Sequence, residues 1–225
     1  MTANLGYTSA EEPRRPARDW SELVDLLESA ERLYRTVVDA MRGGVSVKEI
    51  ESEVYRTDVE INRAQRRARK RLTLHMVIDP DADAAECLAA MSLLKDVERL
   101  GDLSKNLFEA LRLLRTSCRE LPHWDELEGF EVYVTSLCRV LIKTCAENDQ
   151  DEAARIMRDE VTKNREFDDF VARLAATDLA PRQAVGTVLV VRSLKRIQAH
   201  LSNIASALVM PVHMIDHRPP DLRPL

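Results

Sequence analysis

Leu94-Lys95-Asp96-Val97-Glu98-Arg99-Leu100-Gly101-Asp102, with Asn106 four residues on, comes back in altered form 97 residues later. There the chain reads Lys195-Arg196-Ile197-Gln198-Ala199 opposite Glu98–Asp102, and Asn203 stands opposite Asn106. The recurrence has company. Trp20-Ser21-Glu22-Leu23 returns as Trp124-Asp125-Glu126-Leu127 at an offset of 104, and Asp58 aligns with Asp159 and Pro80 with Pro181 at 101. Matches that keep their order along the whole chain mark an internal repeat. The shrinking offset predicts shorter segments in the second copy, whose last helix should lack four residues, about one turn.

Proline placement says what the repeated unit is made of. The prolines leave 17–79, 81–121, 123–180 and 182–210 free of that residue. A proline inside a helix removes a hydrogen bond and clashes with the preceding turn, so these gaps fit long helices joined at few points. Asp19 with Glu22 three residues on reads as a capping box, and the first helix runs from there to Met41, where Gly43-Gly44 stops it. A second helix is predicted from Ser46 to His75, a break at Asp79-Pro80-Asp81, a third helix from Asp83 to Cys118 and another break at Leu121-Pro122. The fold class is therefore all-α, a tandem repeat of two three-helix bundles with six long helices side by side. The expected boundaries are a disordered segment over 1–18, the first repeat over 19–121, the second over 122–210 and a tail over 211–225.

Composition narrows the function classes. The 225 residues hold 33 Lys+Arg against 38 Asp+Glu, a net charge of −5, which argues against a nucleic-acid-coating protein. Aromatics at 4% and only six glycines argue against sandwiches and barrels. The four cysteines, Cys87, Cys118, Cys138 and Cys145, form no CxxC pair; Cys138 and Cys145 read as small core residues seven apart on one helix face. The polar start of the chain, with Arg14, Arg15 and Arg18, lacks a signal-peptide core, and a cytoplasmic setting is expected.

On a helical wheel the third helix sorts cleanly. Leu93, Val97, Leu100, Leu103, Leu107, Leu111 and Leu114 share one arc, while Lys95, Glu98, Asp102 and Lys105 share the opposite one. Asp96 falls inside the apolar arc, where a carboxylate requires a partner, and a salt bridge between helices is expected. Glu98 and Asp102, one turn apart, repel unless a positive charge lies between them. Lys95, Arg99 or Lys105 can supply it, giving a self-compensated surface; a hard metal cation held by carboxylate oxygens can supply it as well.

The stretch 94–102 with Asn106 resembles the ERIGD-type signature of the PhoU proteins, accessory regulators of phosphate uptake. The likeness extends over residues 19–210 in repeat order, helix order and motif position. It implies a tandem three-helix-bundle fold and a metal site (iron, zinc or magnesium) on the first repeat, with Asp58, Asn62, Glu98 and Asp102 as ligands. It further implies a homodimer and a non-enzymatic adaptor that acts on the phosphate ABC transporter's ATPase subunit and restrains the phosphate-sensing histidine kinase, peripherally at the inner face of the membrane. An accessory subunit of another ion permease is the alternative reading. In the second repeat Asp159, Lys163, Lys195 and Ala199 occupy the corresponding places, so that site is expected to repel a cation, with its lysines bridging to Asp159.

Three further patterns carry a possible function in their residues. Arg63–Arg71 holds six cations in nine residues, and Arg63, Arg66, Arg67 and Lys70 share one arc. A solvated face is the plain reading and a contact with anionic lipid or an acidic partner the functional one; no helix-turn-helix spacing points to DNA. His213 and His217 have ligand spacing, but the surrounding prolines leave little room for a helix, so a tail segment is expected. A carboxylate-bundle metal oxidoreductase requires Glu-x-x-His motifs, and the one candidate, Glu120 to His123, is broken by Pro122.

Overall fold

The computed structural model describes residues 21–215, and the Asp19 cap, Trp20, His217 and the extremities of the chain lie outside them. Six helices account for nearly all of this span: α1 (Ser21–Met41), α2 (Val47–Ile78), α3 (Ala84–Leu114), α4 (Trp124–Glu147), α5 (Gln150–Leu174) and α6 (Pro181–Val209). No strand occurs among the described residues.

The helix ends follow from their sequences. Ser46 caps α2 through a capping box with Glu49, each accepting from the other's backbone N–H. Asp83 and Asp149 accept from Glu86 N–H and Glu152 N–H at the starts of α3 and α5. Pro181 opens α6, where its missing N–H costs nothing. The third helix ends at Leu114 rather than at Cys118, because Arg115 turns left-handed at φ 58° and Cys118 enters a short 3-10 turn, Cys118–Glu120.

Each repeat packs its three helices together, and α3 and α6 share the largest interface between elements. The apolar arc of α3 is buried throughout, as are its counterparts Val190, Leu194, Ile197, Ile204 and Leu208 on α6. The two bundles therefore form one continuous core. Cys118, Cys138 and Cys145 are buried in it, and burial pushes the Cys118 and Cys145 thiols up to about 12. The shortening of the second copy falls mainly in the middle helix, 32 residues in α2 against 25 in α5; the last helices differ less, 31 in α3 against 29 in α6.

Polar ties cross between the repeats inside this core. Asp96 on α3 meets α6, where His200 Nδ1 lies 2.7 Å from its Oδ1 and Asn203 Nδ2 donates to the same oxygen at 3.3 Å. The carboxylate expected to bridge helices does so. Glu131 on α4 is fully buried and accepts from Arg42 Nε, just beyond α1, at 2.7 Å, as well as from Thr135.

Candidate functional site

Asp58 and Asn62 on α2 and Glu98 and Asp102 on α3 lie where the two helices pack together. Gly101 permits the approach, since a Cβ there would stand only 3.3 Å from Ile61 Cδ1. Asp58, on the inner side of α2, is buried, while Asn62, Glu98 and Asp102 are half-buried. Lys105, one turn along α3 from Asp102, reaches between the helices: its Nζ donates to Asp58 Oδ2 at 2.8 Å and to Asp102 Oδ1 at 3.5 Å. Arg99 closes the outer side, with Nη1 2.9 Å from Asp102 Oδ2 and Nε 3.9 Å from Glu98 Oε2. Asn62 turns back to its own helix and donates to the Asp58 carbonyl at 3.0 Å.

The electrostatics of the cluster centre on Lys105. Partial burial works against its ammonium, but the hydrogen bond and charge of Asp58, joined by Asp102, outweigh that and hold Lys105 above the ordinary lysine range. Asp58 Oδ1 is buried with no hydrogen-bond partner, so the carboxylate is satisfied on one oxygen only.

This arrangement bears directly on the metal implied by the family resemblance. Among the described residues no three His, Cys, Asp or Glu side chains are grouped as a metal would require. The oxygens of Asp58 and Asp102 face an ammonium, and Asn62 spends its amide on the backbone. As placed, the set does not fit a metal ion; a cation could join it only by displacing Lys105.

The second repeat departs from its expectation in register. Asp159 is half-exposed and pairs with Arg155 of the same helix at 3.2 Å. The buried acid of α5 is its neighbour Glu160, whose Oε1 accepts from Asn164 Nδ2 at 3.0 Å. Glu160 and Asn164 therefore stand where Asp58 and Asn62 stand in α2, an offset of 102. Burial agrees: Val54, Gln65 and Ala68 map onto Ile156, Phe167 and Phe170, all buried. The lysines do not bridge to Asp159. Lys163 pairs with Glu166 on its own helix at 2.6 Å, and Lys195 ties α6 to α5 through Asp168 at 2.5 Å. Ala199 leaves the position opposite Asp102 without a side-chain oxygen.

Of the other candidates, Arg63, Arg66, Arg67 and Lys70 are all exposed on α2. His213 sits exposed in a 3-10 turn, Val212–Met214, that follows α6. Glu120 accepts from Thr116 at 2.5 Å and His123 begins α4, so the broken Glu-x-x-His motif does not point into the core.

Residues 23–111, from the first turn of α1 almost to the end of α3, match the PhoU domain. The match spans the first repeat. The crystal structure of PhoU from Pseudomonas aeruginosa superposes with a TM-score of 0.75 at 20% identity, over 86% of this chain and 94% of that one. The phosphate transport system regulatory protein PhoU from Streptococcus pneumoniae gives 0.70 at 16% identity, over 84% of this chain and 90% of that one. Both likenesses take in the two repeats and establish the PhoU fold for the chain. A comparison with curated proteins found no significant match.

Proposed function

We propose that this protein is a PhoU-type regulatory adaptor of phosphate uptake that works by binding rather than by chemistry. The observation that carries the reading is the PhoU domain over residues 23–111 within a fold shared, over 86% and 84% of the chain, with two PhoU structures. The side chains suit an adaptor. The acids of the first repeat are engaged by Lys105 and Arg99, and three of the four cysteines are thiols made unreactive by burial. The partners in this reading are the ATPase subunit of a phosphate transporter and a phosphate-sensing histidine kinase, met by a homodimer. Pull-down of the tagged full chain from native membranes, followed by mass spectrometry, tests it. Recovery of either partner in proportion to the bait supports the adaptor; recovery of neither removes the reading's main consequence.

A further inference from the structure

The solvent side of α2 carries one continuous stripe whose chemistry changes along its length. At 100° per residue Arg63, Arg66, Arg67, Lys70, Leu74, Val77 and Ile78 fall within a single arc, opposite the buried Val54, Ile61, Gln65 and Ala68. The middle of the stripe is cationic and its end is apolar. No core packing explains that end: the last fully buried residue of α2 is Ala68, and Val77 and Ile78 are 77% and 74% exposed. Leu74 is exposed as well, and so is Leu88 on the first turns of α3 across the hairpin. In the second repeat α5 is seven residues shorter and places no large apolar side chain in solvent. Three large apolar side chains at i, i+3 and i+4 on a terminal turn are a patch rather than scatter.

We propose that the α2–α3 hairpin docks on the surface of an anionic lipid bilayer, with Leu74, Val77 and Ile78 entering beneath the headgroups and Lys70, Arg67, Arg66 and Arg63 lying on the phosphates. The inference stands apart from the phosphate-uptake reading. Distances along the helix suit it: Leu74 lies about 6 Å from Lys70 at 1.5 Å per residue, so cations follow the apolar end at the depth where headgroups follow acyl chains. Each cation near an anionic surface multiplies partitioning about fivefold. The chain's net charge is −5, and Asp79, Asp81, Asp83 and Glu86 lie at the turn beside the apolar end, so the cations of the stripe are what draws the hairpin to the membrane. A second copy fits less well, because a two-fold contact centred on the stripe sets its cations against themselves. An acidic protein would match the cations but leaves the apolar terminus unexplained. No described helix is long and apolar enough to cross a membrane, so the contact is with the surface.

Sedimentation of the purified full chain with phosphatidylcholine vesicles, with and without phosphatidylglycerol, tests the proposal. Binding is expected only with the anionic lipid and should weaken as salt is raised. Val77→Ser/Ile78→Ser should lower the partition coefficient about tenfold, and Arg63→Glu/Arg66→Glu/Arg67→Glu/Lys70→Glu should abolish binding. All these side chains are exposed, so circular dichroism should be unchanged in both variants. A tryptophan placed by Val77→Trp should shift its emission to the blue on anionic vesicles. Failure of the parent to bind at low salt overturns the proposal, as does undiminished binding by either variant. An acidic protein that binds the stripe while anionic vesicles do not would overturn it in favour of a protein partner.

Discussion

Lys105 is the residue on which the first-repeat cluster turns. Replacing it by methionine leaves Asp58 in a mostly buried place with no cation, which should cost about 2 kcal/mol in urea unfolding; adding Asp58→Asn to that variant should restore most of it. The pH dependence has a definite sign. A lysine held above its ordinary range contributes stability that is complete below the unfolded value, about 10.4, and is lost as pH climbs through the folded one. The gap between parent and Lys105→Met should therefore be constant through neutral pH and close in strong alkali. Zn²⁺ or Mg²⁺ should raise the urea midpoint of Lys105→Met, whose carboxylates are freed, and leave the parent where it was; equal responses would show that the ammonium does not hold the site. The inter-repeat pair behaves by the same logic. Arg42→Ala strands the fully buried Glu131 and should cost about 3 kcal/mol, whereas Glu131→Gln, which keeps an acceptor for Arg42, should cost less. Sequence reasoning placed Asp96 correctly because an apolar arc surrounds it on the wheel. It mistook Asp159 for the counterpart of Asp58 because Asp159 and Glu160 are adjacent acids, and only packing tells which of two neighbours faces inward.

At the scale of the helices, two glycines of the second repeat make a controlled comparison. Gly129 on α4 has open space where a Cβ would go, so Gly129→Ala should stabilise the protein by about 0.5–1 kcal/mol through helix propensity alone. Gly186 on α6 sits where a Cβ would stand 2.5 Å from Leu114 Cδ2 and 2.6 Å from its Cγ. Gly186→Ala should lose about 1–3 kcal/mol to overpacking despite the same propensity gain. Thermal unfolding of the two variants reads the opposite signs directly. The helices themselves were legible from proline spacing and capping residues. The early end of α3 was not, because Arg115 has no glycine's licence for the left-handed turn it makes there. The stretch of α2 past His75 was hidden too, since Val77 and Ile78 continue a helical pattern without adding to the core.

Across the whole molecule the repeat was the most legible feature, since α3 and α6 carry the recurring stretch and form the interface that joins the two bundles. The signature fixed the helix face on which Glu98 and Asp102 lie, but not that a lysine one turn on would occupy the space between α2 and α3. Charge composition alone also hid the concentration of cations on one exposed helix of an acidic protein. The proposed role, an adaptor that restrains the response to phosphate starvation, meets its sharpest test in one measurement. It is alkaline phosphatase expression in phosphate-rich medium after deletion of the gene, with and without the gene restored. Constitutive expression in the deletion and repression on restoration are expected; expression unchanged by deletion would overturn the adaptor role.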